Sequence, residues 1–409
     1  MVAAAVTRAD RWLEPGPGAE RLNLEVAPLR LPPDSAMSPS PRSSLAFPRI
    51  AAGLLALVSA AAWAQTPAPP KSDDVNGFRD WMAACDNLRS CNTYGVDADI
   101  YGNAFIRVAR DGSADAPVTI TIGVNADDGV KFKLAFDDPA LPGLPSDAIA
   151  GAGNADDVIR RLVIREPAAV AQLIASLRKA GKLIVTRADP PGASPSDTPV
   201  TEISLSGFAA AMLWIDEQQK RVGTVTAIIG RGDRPASAVP PLPAARTVRT
   251  AKLATGAAPK TAPAAVLALA RKACDASEPF TAPEDATRLS GDQVMYWFRC
   301  AEMSGMYNYY YALVIAAPGR APHVAKFPFP PESSGQDGDD GDFIVNPEFD
   351  AKTGTLTTLN KGRGMSDCGG ASEWAWDGAA FRVVASKGMP NCKGIPVDDW
   401  PTLYRAARK

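Results

Sequence analysis

Two groupings of residues in this chain could do chemistry. Asp337, Asp339, Asp340 and Asp342 form the densest acidic run, and Glu348 stands where a calcium loop beginning at Asp337 would place its bidentate carboxylate. Hard oxygen donors at that spacing suit calcium, but Gly341 falls one place early for the tight turn and no helical period flanks the run. A solvated turn between strands is the competing reading. Glu373 and Asp377 lie beside Trp374 and Trp376, a set from which a sugar cleft with an acid/base pair could be built, although Asp377 also has a turn to make. Any Ser-His-Asp or Cys-His mechanism would have to pass through His323, the single histidine, and the segment around it carries no nucleophile motif. No catalytic residue and no organic cofactor follow from these patterns, and calcium is the one ion they suggest.

A second kind of chemistry is recognition. Tyr307, Tyr309, Tyr310 and Tyr311, with Trp297, Trp374 and Trp376, make the richest aromatic neighbourhood in the chain. Aromatics on a sheet serve either as core or as contact surface. Alternation along a strand turns Tyr310 away from Tyr309 and Tyr311, so it can bury only some of them. Tyr307, Tyr310 and Trp374 are the residues expected at a binding surface.

The elements that must position these groups are mostly strands. Trp374 and Trp376 share a face, Asp377-Gly378 offers the left-handed conformations of a tight turn, and Phe381 and Val383 return antiparallel, which predicts a β-hairpin. Strand patterns also occur at 104–109, 118–124, 130–136, 183–187 and 201–206, and in the second half at 294–300, 309–316, 323–327, 343–349 and 355–360. Helical spacing appears at 167–180, where Val170, Leu173, Ile174 and Leu177 repeat behind Pro167, and again from Phe208 through Ala211, Met212 and Ile215. A shorter helix is expected at 263–274. Residues 234–262 are rich in Pro, Ala and Thr without the bulky spacing a core requires, and read as a linker. The expected fold is α+β and β-rich, with two antiparallel-sheet domains: residues 78–233 with two or more helices, and residues 263–409 almost all β.

Six cysteines occur: Cys85, Cys91, Cys274, Cys300, Cys368 and Cys392. No C-x-x-C pair exists and His323 lies away from all of them, which disfavours a metal site. Spacing alone leaves the pairing open, and sequence proximity favours Cys85–Cys91, Cys274–Cys300 and Cys368–Cys392. An apolar run at residues 50–61 is preceded by Arg42 and Arg49 and followed by Ala62-Trp63-Ala64, the pattern of a secretory signal peptide cut after Ala64. The run is shorter than the ~20 apolar residues of a membrane span. Met37 then reads as the initiator, residues 1–36 as a mis-assigned start or disordered extension, 37–64 as the signal peptide and 65–77 as a flexible leader. A net charge of −2 gives no basic footprint for nucleic acid or an anionic membrane.

Several ordered blocks resemble one family: FRDWMAACDN, GFAAAMLWIDEQQKRVGTVTA, KGRGMSDCG, EWAWDGAAF and DDWPTLYR. The chain is similar, over nearly all of its mature length, to the bacterial exported family called domain of unknown function 1176, with Met365-Ser366 departing from the smaller or more apolar pair expected there. The first half also resembles invasion-associated locus B proteins through a Trp-x-x-x-Cys start and a late helix ending in acidic, Gln and Arg residues. The resemblance implies a periplasmic protein of unassigned activity and brings no catalytic residue with it. The expected function is a non-catalytic cell-envelope or host-interaction binding protein, partnered by an envelope protein or a glycan. The alternative is a carbohydrate-active or peptidoglycan-directed hydrolase. Amino-terminal sequencing of the exported form is expected to begin at Gln65; a start upstream of residue 50 would contradict the export signal.

Overall fold

The computed structural model describes residues 75–99, 102–125, 131–142, 159–188, 200–330 and 343–409. The acidic residues Asp337, Asp339, Asp340 and Asp342 lie outside this set, as do residues 1–74. In the N-terminal half the strands are β1 (Asn76–Phe78), β2 (Trp81–Cys85), β3 (Cys91–Val96), β4 (Ala104–Arg110), β5 (Val118–Asn125), β6 (Lys131–Phe136), β7 (Ile159–Ile164), β8 (Lys182–Ala188) and β9 (Val200–Ser204). They form a six-stranded antiparallel sheet in the order β1-β2-β3-β4-β5-β7 and a three-stranded one, β6-β8-β9. Helices α1 (Pro167–Leu177) and α2 (Phe208–Gln218) supply Val170, Leu173, Phe208, Met212 and Ile215 to the core these sheets share.

Local chemistry explains both helices. Pro167 fixes the first turn of α1, and the Glu166 carboxylate accepts hydrogen bonds from the Ala168 and Ala169 amides, which holds its pKa below the usual value. Helix α2 starts from Gly207 at φ +103°, where a Cβ would sit 1.8 Å from the Phe78 carbonyl oxygen. Only glycine permits that approach.

The C-terminal half adds β10 (Thr247–Val248), α3 (Ala264–Ala273), β11 (Asp285–Arg288), β12 (Val294–Arg299), β13 (Tyr310–Ala316), β14 (His323–Val324), β15 (Ile344–Val345), β16 (Glu348–Asp350), β17 (Thr355–Lys361), β18 (Gly369–Trp376), β19 (Phe381–Met389), β20 (Thr402–Arg405) and β21 (Ala407–Arg408). One antiparallel sheet runs β11-β12-β13-β14, with β15 also on β13, and a second runs β16-β17-β18-β19-β20. Their facing sides enclose a core of Leu313, Ile315, Phe327, Leu356, Trp374, Trp376 and Phe381. Helix α3 covers the other side of the first sheet, packing Val266 and Ala270 on Tyr296, Phe298 and Val314. The chain is therefore α+β and β-rich, and no helix among the described residues is long and apolar enough to cross a membrane. The bridges are Cys85–Cys91, Cys274–Cys300 and Cys368–Cys392.

Three local expectations need correction. The hairpin joining β18 and β19 closes Trp376 on Phe381 around residues 377–380, and only Gly378 is left-handed, at φ +104°. Asp377 contributes its carboxylate instead, accepting from the Ala379 and Ala380 amides at 2.8 Å each. The strand read at 343–349 is two short strands, interrupted where Asn346 turns left-handed at φ +46°. The strand read at 323–327 stops at Val324. Residues 234–262 also engage their surroundings through backbone groups: β10 pairs in parallel with β21, and the Ala251 and Ala254 amides donate to Trp376 and Leu289 carbonyls.

The block DEQQKRVGT folds into a buried polar frame. Asp216 accepts from the amides of Ile228, Ile229 and Gly230. Gln219 donates to the carbonyls of Arg89 and Arg110, and Arg221, fully buried, donates to Ala114, Ser113 and Asp111 carbonyls and to the Gln219 and Thr226 side chains. These residues satisfy backbone acceptors that would otherwise be orphaned in the interior. Arg221→Met keeps the stem but strips those partners, and is expected to cost about 3 kcal/mol or more, read as a lower urea midpoint; an unchanged midpoint would contradict this role.

Candidate functional site

The most exposed large apolar side chain among the described residues is Met306, 93% accessible, at the tip of the segment joining β12 to β13. The polypeptide there is not loosely held. The Cys274–Cys300 bridge anchors its start, the Ser304 hydroxyl donates to the Cys300 carbonyl, and the Gly305 amide closes a turn on Asn308. Three asparagines then lock it to its neighbours. Asn308 donates to the Lys361 carbonyl at 2.9 Å and the Asn360 side chain at 3.1 Å, and accepts from the Lys361 amide at 3.0 Å. Asn346 donates to the carbonyls of Tyr307 and Leu359 and to the Asn308 side chain, and accepts from the Tyr309 amide at 3.0 Å. Left-handed backbone is tolerated best by asparagine after glycine, which explains the residue type at position 346.

Beside this frame stands the KGRGMSDCG block. Asp367, buried under it, accepts from the Arg363 guanidinium and from the Gly394 amide at 2.7 Å, while Cys368–Cys392 ties the block to the turn after β19. Burial alone would raise the Asp367 pKa, but the Arg363 and Gly394 donors outweigh it and the carboxyl is held below the ordinary range. Ser366 and Gly369 take positive φ values, and a Cβ at Gly369 would meet the Asn360 carbonyl. Tyr307 and Gly364 come into contact range across the two segments. The result is a platform presenting Met303, Met306, Tyr307, Tyr309 and Met365, all exposed. Arg299 lies 4.2 Å over the Tyr309 ring, an arrangement that holds a cation at the rim.

The structure distributes the sequence candidates unevenly. Tyr307 is on the platform; Tyr310 is half-buried on β13. Trp374 is a correction: it is 3% exposed, its indole N–H donates to the Pro328 carbonyl, and its ring meets Phe327, so it belongs to the core and offers no contact face. Trp376 is likewise interior and bonded to Ser290. Glu373 is ion-paired with Arg408. Asp377 is paired with Arg382 at 2.6 Å; burial would raise its pKa, but Arg382 and the two turn amides hold it below the usual range. A carboxylate kept ionised in this way is a poor general acid. His323 is exposed on β14. Glu348 lies on the edge strand β16, exposed, in a groove it shares with Asp350 and Glu373. Asp367, Cys368 and Cys392 cluster, but both sulfurs are spent in the disulfide and cannot serve as thiolate ligands. What sequence reading missed is Met306, Met365 and the asparagines; no spacing rule links residues 308, 346 and 360, and only the paired sheets bring them together.

A family model described as "Protein of unknown function (DUF1176)" matches residues 75–407. The chain is 30% identical over 350 residues to "Uncharacterized protein YpfG" of Escherichia coli (strain K12), a match covering 80% of this chain and 91% of that protein. A structural match to invasion associated protein B from Bartonella henselae covers 36% of this chain and 99% of that one, at 16% identity and a TM-score of 0.27.

Asp367 makes a prediction with a definite sign. Its folded pKa is depressed, so its contribution is present above the unfolded carboxylate value of ~3.9 and is lost as the pH falls through the folded value. The acid transition of Asp367→Asn is expected to be flatter than that of the wild type below pH ~4, measured by urea midpoints across pH; parallel profiles would refute it.

Proposed function

Because the chain belongs to the family described as protein of unknown function DUF1176, whose description assigns no activity, we propose that it is a non-catalytic binding protein of the cell envelope. Its contact surface is the methionine–tyrosine platform. The observation that carries this reading is the combination of a nearly fully exposed Met306 with a backbone fixed by two disulfides and three asparagines. Exposing thioether and aromatic groups costs solvation free energy, and fixing them removes the entropy that a partner would otherwise have to take away on binding. Methionine adapts to irregular partners, while tyrosine supplies area and a polar tip. Arg299, stacked over the Tyr309 ring, borders the patch, so the complementary partner is an envelope protein offering an apolar knob beside an acidic group.

The export pattern at residues 37–64 and three structural disulfides support a periplasmic setting. Residues 78–233 and 263–409 serve in this reading as two domains, the first bracing the second. Calcium at Asp337, Asp339, Asp340, Asp342 and Glu348 would be an accessory to the surface rather than its basis. The hydrolase alternative draws no support from Glu373, which is committed to Arg408, or from tryptophans that are interior.

The test is affinity capture from envelope extract with the mature protein and with a Met306→Glu, Tyr307→Ala double variant. A discrete partner is expected with the wild type and at least tenfold less of it with the double variant, while Leu242→Glu, an exposed apolar residue elsewhere, retains it. Equal recovery by all three would reject the platform.

A further inference from the structure

Away from the platform, a cavity of about 320 Å³ lies between α1, the start of β5 and residues 225–228, which follow α2. Arg110, the last residue of β4, lines it and is 8% exposed. Two of its nitrogens are committed: Nε donates to the Ala116 carbonyl at 3.0 Å and Nη1 to the Thr226 carbonyl at 2.6 Å. The third, Nη2, has no hydrogen-bond partner in the protein, yet it is not among the atoms sealed inside. With the rest of the side chain buried, the cavity is where that nitrogen is reached.

Arg221 shows what a purely structural arginine requires in the same interior: all three of its nitrogens donate, to Gln219, Ala114, Thr226, Asp111 and Ser113. Arg110 lacks that closure, and among the described residues it forms no ion pair. Asp216 attracts it, but both Asp216 oxygens are taken by the Ile228, Ile229 and Gly230 amides. Burial lowers the Arg110 pKa to about 10, Arg221 and Arg231 push the same way, and Asp216 opposes them. Arg165 and Arg231 line the cavity as well, both exposed, against a single acid, Asp115, which is exposed and acts on Arg221. A buried cation in this excess of positive charge is stabilised by an anion that brings an acceptor to the open nitrogen.

The walls indicate what carries that acceptor. Val118, Val170, Ile174 and Ile228 make them apolar, and Val225 is 52% exposed at the rim. Thr226 brings the one hydroxyl, which is already engaged with Arg221 and Thr224. A sugar or a peptide would find few polar groups to bind here, and a phosphate would need more donors than one open nitrogen. At about 320 Å³ the space lies at the small end of the ~300–1,000 Å³ typical of ligand sites. We propose that the cavity binds a small aliphatic carboxylate, its carboxyl group accepting from Arg110 Nη2 and its chain lying along Val118, Val170, Ile174 and Val225.

The probes are octanoate, octanamide and inorganic phosphate, titrated separately at neutral pH into the mature protein and followed by amide correlation spectra. Octanoate is expected to shift the Ala116, Val118 and Ala227 amides, and the other two to bind at least tenfold more weakly, octanamide for want of the charge and phosphate for want of the chain. Arg110→Met keeps the stem, removes Nη2 and is expected to weaken octanoate binding at least tenfold. Val225→Trp, at an exposed position on the rim, is expected to block entry and decides the matter should the Arg110 variant fold poorly. No binding of octanoate, octanamide or phosphate binding as tightly as octanoate, or full octanoate binding by a folded Arg110→Met or by Val225→Trp would overturn the proposal.

Discussion

Asp399 is the residue on which the joining of the two halves depends. Its carboxylate, almost wholly buried, faces Arg107 from β4 and Arg161 from β7 at 2.8 Å each, and its carbonyl accepts from the Tyr94 hydroxyl at 2.6 Å. Burial pushes the Tyr94 pKa upward, which keeps the hydroxyl a donor. The two arginines are partly exposed, so solvent screens part of the attraction, and removing the aspartate would take from both guanidiniums the buried anion they share. Around this hub Met82, Tyr94, Phe105 and Ile159 from the first sheet pack on Met389, Ile395 and Trp400. Asn87 and Arg405 add a two-way amide clasp at 3.0 and 2.9 Å. The position of the 391–400 segment, and with it the back of the platform, follows from these contacts.

Much of the scaffold is legible in the residues themselves. The i, i+3, i+4 repeats at Val170–Leu177 and Phe208–Ile215 mark the buried stripes of α1 and α2, and alternation marks β4, β5 and the start of β19. Each disulfide joins cysteines that bracket one local element, which is why proximity finds them. Trp374 misleads for a physical reason: an aromatic alternating on a strand looks the same whether its face meets water or a second sheet, and here Phe327 lies across from it. At 343–349 the break is legible in the sequence, because Asn346-Pro347 is a turn signal between Val345 and Glu348, and the left-handed Asn346 interrupts the strand there. The linker composition at 234–262 says nothing about backbone groups, and those are what bind Ala251 and Ala254 to their neighbours.

The carboxylates show how far acidic residues near aromatics can be from catalysis. Asp216, Asp367, Asp377 and Asp399 each terminate backbone amides or guanidiniums and fix the path of a loop. Side chains so engaged are structural members, and in this chain they hold still the segments that present Met306, Tyr307 and Met365 on the platform. Recognition on this scaffold is a matter of what the fixed loops leave uncovered.

The most direct measurement of that account places a photo-reactive amino acid at position 306 in cells exporting the protein and, separately, at position 242. The platform reading predicts one adduct of discrete mass from position 306, lost when Tyr307 is changed to Ala, and none from position 242. No adduct at 306, or the same adducts from both positions, would contradict it.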